Sequence, residues 1–466
     1  MNLLLQAAPL LLLVGLLAAG RVGPIPACAV AILAAVPAAL AALPPGADAA
    51  GLLLREAMRG LWLAAQPIAV VAGGLLFQAA VTRPGEAERL PATPLRLYAG
   101  TLLAGTFLEC VTGFGVGAVF ALATLRRMGI GGAAGVALAL QSQVLVPWGA
   151  LGPGTAVAAA LSHLPVQALA TEVAHLSAAW LLLLVPVFLR LVLAAGVPLG
   201  MRDAMVPAAL AACVGALLIL SHAVLPYELA GIVATAPPLL WALWRLDPPA
   251  DAAAWRGRLR AASPYALLVA ALFAARAWPT PPSARPWEDL PALPLTHVAA
   301  VLFVVSALLL AWRRVPATRA AAALRRAGRP ALAMALYVVL ARLLAGSGVA
   351  GNLAHAAAGG LGGLAAYAVA PLGLLAGFLT GSAVSGNAAL MPVQAELGRA
   401  AGLPALLAPT VQVFTTAATA GMSLAVTAMV CAVQGEGTRP GPVWRLLWPG
   451  VLAALLLGWG AVALGG

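Results

Sequence analysis

Apolar stretches follow one another along almost the whole chain, and short polar loops separate them. A helix that crosses a bilayer needs about 20 mainly apolar residues. The pattern therefore predicts an all-α polytopic membrane protein with about 11 to 14 transmembrane helices. The stretches lie near residues 3 to 20, 24 to 43, 60 to 81, 97 to 125, 133 to 150, 154 to 170, 176 to 197, 204 to 224, 228 to 244, 264 to 278, 295 to 312, 331 to 350, 361 to 380, 386 to 395, 404 to 432 and 446 to 464.

The main breaks in this series are polar, proline-bearing loops, each too short to be a soluble domain. They span residues 82–94, 247–263, 279–294, 313–330 and 434–442. The predicted organisation has an N-terminal transmembrane repeat over residues 1–225, a connecting span and loop over 226–263, and a C-terminal repeat over 264–466.

Three short matches in the same order favour an internal repeat, and transporters with internal repeats bind substrate where the repeats meet. The matches are Leu-Ala-Gly-Thr-Phe-Leu from Leu103 with Leu-Ala-Gly-Phe-Leu from Leu375, Leu-Arg-Arg-Met-Gly-Ile from Leu125 with Leu-Gly-Arg-Ala-Ala-Gly-Leu from Leu397, and Gln143 and Gly152 with Gln412 and Gly421.

Composition excludes a soluble protein, since 63% of the residues are hydrophobic, 9% are charged and the mean hydropathy is +1.01. The net charge of +12 comes from arginine alone, and the arginines cluster in short loops without interleaved aromatic residues. The positive-inside rule accounts for them better than a nucleic-acid partner does. We expect a multi-pass protein of the bacterial inner membrane, with the lipid bilayer as its partner. Its oligomeric state stays open, a homodimer included.

Enzyme chemistry has no sequence support, and we expect no enzyme, metal or cofactor. The four cysteines form no CxxC pair, the five histidines show no metal-binding spacing, and no P-loop or nucleophile elbow occurs. Two other classes remain to be weighed. A membrane-embedded lipid-linked transferase needs acidic metal ligands or a basic diphosphate clamp, but the 14 acids form no DxD or DxxD pair. An anion channel is disfavoured because no rings of charge are recognisable.

The acid Glu109 interrupts the apolar stretch 97–125, and glycines surround it between Gly105 and Gly117. Charged groups at membrane depth are costly and usually functional, and non-helical backbone survives there only around a cavity or inside protein. Glu109 is therefore a candidate carrier of the coupling proton, or alternatively a structural cap for the N–H groups of a broken helix. The small, hydroxyl-rich segment from Thr380 to Asn387 is a matching interruption in the second half. Half-helix N-termini at these two places favour an anionic substrate.

Other candidate residues surround these two interruptions. Arg342 lies inside an apolar stretch, where it would bind a substrate carboxylate, pair with Glu109, or extend to a membrane interface. Gln143 and Gln412 occupy matching positions and would face one cavity or hydrogen-bond between helices. Small polar residues would bind the substrate or serve close packing, and glycines would shape the backbone: Thr112, Thr380, Ser382, Ser385 and Asn387, with Gly113 and Gly115.

Several motifs together resemble the bacterial L-lactate permease family, and the likeness extends in order over most of the chain. They are Phe107-Leu-Glu-Cys-Val-Thr-Gly-Phe-Gly115, Pro147-Trp-Gly-Ala-Leu-Gly152, Ser347-Gly348, Gly377-Phe-Leu-Thr-Gly-Ser382, Asn387 and Pro392-Val-Gln394. The resemblance implies an inner-membrane permease that takes up lactate, and often glycolate, with protons. It also implies a fold similar to the ion-transporter group, with two repeats and helical hairpins that enter the membrane without crossing it.

The chain departs from the family at likely site positions. Val116-Gly117 stands where the family usually has Thr-Pro, and Ala383, Val384, Gly386 and Gly421 stand where it usually has polar residues. The resemblance, read with these departures, implies a substrate larger or less polar than lactate. We expect a secondary active transporter for a small organic monocarboxylate such as lactate or glycolate. The coupling partner would be the proton gradient, with sodium left open because carbonyls of broken helices can bind it.

Overall fold

The chain folds almost entirely into helices, and the prediction of an all-α polytopic membrane protein is confirmed. The computed structural model describes residues 2–20, 22–44, 46–81, 89–113, 115–435 and 437–465. Most of the predicted loop from Thr82 to Pro94 lies outside this part, as does Phe114 of the glycine-rich run. The one sheet in the described part is a two-stranded antiparallel pair in the loop 277–297.

Nine helices of the described part are long and apolar enough to cross a membrane, and the bent pair Val349–Leu364 and Ala366–Thr380 makes a tenth only if it crosses as one span. The bend in that pair is 105°. Two shorter apolar helices, Leu3–Ala18 and Val298–Trp312, bring the count into the predicted range of 11 to 14. The strict count is lower than predicted because several apolar stretches form helices too short to cross.

The first half of the chain forms eleven helices before the connecting loop. They are α1 (Asn2–Ala18), α2 (Pro24–Ala42), α3 (Ala49–Val81), α4 (Pro94–Tyr98), α5 (Ala104–Thr112), α6 (Val116–Arg127), α7 (Gly132–Leu140), α8 (Pro153–Ser162), α9 (Val166–Ala194), α10 (Met201–Val224) and α11 (Tyr227–Leu246). A π-helical turn, Ala99–Leu103, joins α4 to α5.

The second half supplies nine helices and the two short strands. They are α12 (Ala252–Arg276), β1 (Ser283–Ala284), β2 (Leu293–Pro294), α13 (Val298–Trp312), α14 (Ala317–Gly346), α15 (Val349–Leu361), α16 (Val369–Thr380), α17 (Ala383–Ala400), α18 (Leu407–Ala420), α19 (Leu424–Gln434) and α20 (Pro440–Gly465).

Helices α4 to α6 form a hairpin that turns back inside the protein. Gly113 (φ 68°) ends α5 and Gly115 (φ 75°) precedes α6, a backbone conformation that residues with a Cβ rarely adopt. Helix α6 has 12 residues, about 18 Å, which is too short for a hydrocarbon core of about 30 Å. At the outer ends the N–H of Leu90 donates to the carbonyl of Arg127 at 2.9 Å. The chain thus enters and leaves on one side.

Helices α16 and α17 form the second hairpin. Helix α16 also has 12 residues and ends at Gly381 (φ 68°), and Ser382 caps α17 by accepting the N–H of Ser385 at 3.4 Å. Both arms of this hairpin pack against α18. The close approach depends on Gly377, where an added Cβ would lie 2.0 Å from the carbonyl oxygen of Thr416.

A broken helix follows each hairpin. After the first, α7 ends at Leu140, two 3₁₀ turns follow, and α8 starts beyond Gly152 (φ 77°). After the second, α18 ends at Ala420 and α19 starts with Ser423 as its cap. The order of elements is therefore the same in the two stretches, while the equivalence of the two halves stays a prediction, as do the three predicted segments of the chain.

Candidate functional site

A cavity of about 170 Å³ lies where the two hairpin tips meet the breaks of the two broken helices. Polar groups enter it from both halves of the chain, and so do glycines and apolar side chains. Its lining consists of Glu109, Gly113, Gly115, Gln143, Val146, Gly149, Pro153, Gly154, Met334, Gly381, Ser382, Ala383, Val384, Ala420, Gly421, Val426 and Met429. Among the cavities of the described part, this one joins both glycine-rich interruptions that the sequence singles out.

Glu109 closes the tip of the first hairpin. Its two carboxylate oxygens accept the N–H groups of Gly115 and Gly117, each at 3.0 Å, and these N–H groups belong to the start of α6. The side chain of Gln143 is also hydrogen-bonded to this carboxyl group. The carboxylate is buried and thus caps a half-helix from inside the protein.

Close backbone packing holds this tip together. An added Cβ at Gly117 would lie 2.2 Å from the carbonyl oxygen of Gly105, and one at Gly105 would lie 2.6 Å from Cβ of Ser142. On the other side of the cavity, a Cβ at Gly421 would lie 2.2 Å from Cβ of Gln143. Because these glycines have no side chain, the hairpin and the broken helices pack in direct contact, so a small movement of one displaces the others.

The second hairpin presents a helix N-terminus to the cavity. Ala383 and Val384, the first residues of α17, line it together with the cap Ser382. The first N–H groups of a helix have no partner within the helix and carry the positive end of its dipole. This N-terminus is therefore the part of the cavity best suited to an anion.

The start of α17 is fixed on the first broken helix. The side-chain amide of Asn387 donates to the carbonyl of Gly154 at 3.1 Å, and an added Cβ at Gly154 would lie 2.8 Å from Cβ of Ala383. Asn387 thus links the second hairpin to α8 and does not itself line the cavity. The polar side chains of the second hairpin do not all point at one ligand.

The structure brings five of the predicted residues to the cavity: Glu109, Gly113, Gly115, Gln143 and Ser382. Four others lie next to it without lining it, and each donates a hydrogen bond within the protein, although the buried Oδ1 of Asn387 accepts none. Thr112 and Thr380 donate to helix carbonyls at 2.6 and 2.7 Å, Ser385 gives its N–H to the helix cap, and Asn387 holds Gly154.

Gln412 does not share the cavity with Gln143, contrary to the expectation that the two face it from opposite sides. Its side-chain oxygen accepts Nε2 of Gln394 at 2.8 Å, and its own Nε2 donates to Oγ1 of Thr416 at 3.0 Å. Both amides are buried in the contact between α17 and α18. Gln412 therefore takes the interhelical alternative.

Arg342 also lies away from the cavity, and its partner is Glu56, not Glu109, which was one of its three alternatives. Its Nη2 and Nε lie 2.6 and 2.9 Å from Oε2 of Glu56 on α3, and both side chains are about 95% buried. Glu56 also accepts Nη1 of Arg59 at 2.8 Å, and Arg59 reaches Asp289 in the loop between the strands at 2.9 Å. The arginine is held by a buried carboxylate and does not extend to an interface.

Sequence reasoning missed two kinds of residue. Met334 of α14 and Met429 of α19 supply apolar walls of the cavity, but a methionine in an apolar stretch gives no sign of its facing a ligand. Glu56 lies in the second turn of α3 between Arg55 and Arg59, and charged residues grouped near a helix end commonly face the membrane interface. The position of Glu56 on the face of α3 that packs against α14 is the feature that identifies it as a partner of Arg342.

Residues 274–447 match the family model for L-lactate permease. The resemblance to the L-lactate permease family is confirmed. The matched region includes the second hairpin and α18 and α19, whereas the Glu109 motif lies before it. The chain is thus a multi-pass membrane transporter, and this family favours a transporter over an enzyme.

Two further comparisons add little. No curated protein matches the chain. A solved structure of MtrF from Neisseria gonorrhoeae, described as illuminating a class of antimetabolite efflux pumps, is similar at 11% identity over 95% of both chains, with a TM-score of 0.46. That likeness is too weak to assign a shared fold. Within the described residues no group of three or more His, Cys, Asp or Glu side chains is arranged to hold a metal ion.

Proposed function

We propose that this permease is a proton-coupled secondary transporter for a small organic monocarboxylate, with substrate and proton meeting in the cavity between the hairpin tips. The observation that carries the proposal is the convergence there of the buried acid Glu109 and the N-terminus of α17. Transporters with broken helices bind anionic groups at half-helix N-termini near the middle of the membrane.

The two hairpin tips differ in a way that assigns one role to each. At the first tip the N–H groups at the start of α6 already bind the Glu109 carboxylate, an anion supplied by the protein. At the second tip the start of α17 carries only the hydroxyl of Ser382 as a side-chain cap. The substrate carboxylate therefore docks at the start of α17, and a helix dipole and backbone N–H groups stabilise it there.

Protonation of Glu109 changes the contacts of the first hairpin. An ionised carboxylate accepts hydrogen bonds on both oxygens, whereas a protonated one carries a donor on one of them. One of the bonds to Gly115 and Gly117 is then weakened, and the side-chain oxygen of Gln143 can accept a hydrogen bond from the new O–H of Glu109. Because Gln143 packs directly on Gly421, the proton on Glu109 is coupled to the wall shared by the two broken helices.

The test is uptake of labelled lactate into proteoliposomes with an imposed pH gradient, measured with sodium and again with choline as the external cation. Wild-type uptake should follow the pH gradient in both media. Glu109→Gln keeps one acceptor oxygen for the hairpin tip but cannot carry a proton. It should lose gradient-driven uptake by at least about tenfold while retaining exchange of internal for external substrate.

The matched control is Glu172→Gln, which removes an acid whose side chain is half exposed on α9. This variant should transport like the wild type. Gradient-driven uptake that survives in Glu109→Gln would overturn the role of Glu109 in proton coupling. Uptake that requires external sodium would show that sodium, and not the proton, is the coupling ion. A well-folded wild type that transports no monocarboxylate would overturn the proposal as a whole, and flux that never saturates would favour an anion channel.

A further inference from the structure

The residues that line the cavity indicate the size and polarity of the part of the substrate other than its carboxylate. Resting on the proposed function, we infer that the substrate is a monocarboxylate with an apolar tail about one carbon longer than that of lactate, and that Met334 and Met429 determine how long a tail is accepted. This assigns a substrate class that neither lactate nor glycolate represents.

Size is the first argument. A cavity of about 150 Å³ holds one benzene, which has six non-hydrogen atoms, so the cavity of about 170 Å³ has room for about seven. Lactate has six non-hydrogen atoms and glycolate has five. A site that encloses its ligand leaves little of it empty, because unfilled space forfeits contacts and hydration that the ligand would otherwise gain. The ligand that matches this cavity is larger than lactate.

Polarity is the second argument. Glu109, Gln143 and Ser382 are the polar side chains in the lining described, and the first two are already hydrogen-bonded to each other. The remaining side chains of the lining are aliphatic, proline or methionine. A larger polar ligand would leave its own groups without partners there, which is costly. The part of the cavity that a carboxylate does not fill therefore suits an apolar hydrocarbon tail.

The two methionines come from different parts of the fold. Met334 belongs to α14, which packs along α3, while Met429 belongs to α19 and lies at the first hairpin tip, its Cε 3.3 Å from where a Cβ on Gly115 would stand. Methionine is unbranched and flexible, so it adapts to ligands of different shape. Two methionines on opposing elements form an adjustable apolar wall for the tail.

The experiment measures binding without any gradient, as the rise in Tm of purified wild type with a series of 2-hydroxy acids. The series is glycolate, lactate, 2-hydroxybutanoate, 2-hydroxy-4-methylpentanoate and 2-hydroxyoctanoate. Each added methylene buried in the cavity should tighten binding about fourfold, so 2-hydroxybutanoate should bind about fourfold more tightly than lactate. 2-Hydroxy-4-methylpentanoate and 2-hydroxyoctanoate should bind more weakly again because their tails exceed the cavity. The same acids compete with labelled lactate for uptake.

Variants test the specificity residues. Met334→Ala and Met429→Ala should move the tightest binding to longer acids, and Val426→Phe should move it back towards lactate. The matched control is Met205→Ala, a methionine on the outer face of α10 that is 67% exposed. It should leave the order of the series unchanged.

The outcomes separate this inference from the proposed function. If lactate or glycolate binds most tightly and is taken up, the long-tail inference is overturned while monocarboxylate transport stands. If no acid of the series binds or is transported, the proposed function falls and this inference with it. If 2-hydroxybutanoate binds best but the two methionine variants keep the wild-type order, the specificity role of those residues is overturned.

Discussion

Removing either member of the buried ion pair between α3 and α14 should destabilise the protein, but by different amounts. Glu56 is the carboxylate partner of Arg342, and both side chains are about 95% buried. Glu56 has a second partner in Arg59, which is 22% exposed and also reaches Asp289. Removing Glu56 thus leaves a buried guanidinium without its carboxylate, whereas removing Arg342 leaves Glu56 still paired.

The magnitudes follow from that asymmetry. Breaking a buried pair so that one charge is left uncompensated costs about 3–5 kcal/mol. Glu56→Met should therefore destabilise the protein by about 3–5 kcal/mol. Arg342→Met should cost less, about 1–3 kcal/mol, because Arg59 continues to satisfy the carboxylate. The double variant should be more stable than Glu56→Met alone, because the buried charge that made the single change costly is gone.

The assay is thermal unfolding in detergent. A chain of 466 residues changes its free energy of unfolding by about 1 kcal/mol per degree near Tm, so Glu56→Met should lower Tm by about 3–5 °C. The control is Glu396→Met, which breaks a partly exposed pair with Arg399 and should cost about 0–1 kcal/mol. The reasoning would be refuted if Glu56→Met lowered Tm no more than the control does, or less than Arg342→Met does.

Transport distinguishes this structural role from substrate binding. Arg342 does not line the cavity, so folded Arg342→Met protein should transport with an unchanged KM. A tenfold rise in KM without loss of folded protein would instead show that the arginine meets the substrate in another state of the transporter.

Three more predictions concern other parts of the molecule. Gly421→Ala should reduce transport at least about tenfold, since its Cβ would lie 2.2 Å from a side-chain carbon of the first broken helix, while Gly351→Ala, with open space around it, should not. Burial lowers the pKa of His297, at the N-terminus of α13, to about 4. The unfolded chain therefore binds this proton first, and Tm should fall as the pH drops from about 6.5 towards 4, an effect that His297→Asn, also a good cap, should reduce. In a cysteine-free background, Asp289→Cys should react with an impermeant thiol reagent from outside the cell and Arg325→Cys should not, because the arginine-rich loops belong inside.

Much of the fold is predictable because membrane insertion depends on composition. Hydropathy alone indicates the spans, and an acid among glycines at membrane depth indicates irregular backbone, which the tip at Gly113 and Gly115 confirms. The number of spans is harder to predict, since α16 is as apolar as the spans but ends after 12 residues, and α6, within the long apolar stretch 97–125, also has only 12. A glycine at positive φ precedes α6 and another ends α16. The sequence alone does not distinguish these glycines from the many others in the chain that allow close helix packing or lie in loops.

The composition of the cavity is less predictable, because it depends on partners far away in sequence. Gln143 and Gln412 stand at matching positions, but Gln394 is close enough to bond the second and draw it out of the cavity. Arg342 pairs with an acid 286 residues away. Without an observed contact, nothing distinguishes Met334 from a methionine that faces lipid.

The difference between the two hairpin tips explains why a chain with few intramembrane charges can still couple two solutes. If both tips offered free N–H groups, the cavity would attract two anions, and nothing would link their occupancy to a proton. Because the protein supplies the anion at the first tip, that N-terminus responds to protonation of Glu109, while the second remains for the substrate. Gln143, bonded to the acid and packed on Gly421, is the shortest physical connection between the two events. Gln143→Leu should therefore weaken the dependence of substrate affinity on pH more than the affinity itself, and equal loss of both would assign Gln143 to substrate binding alone.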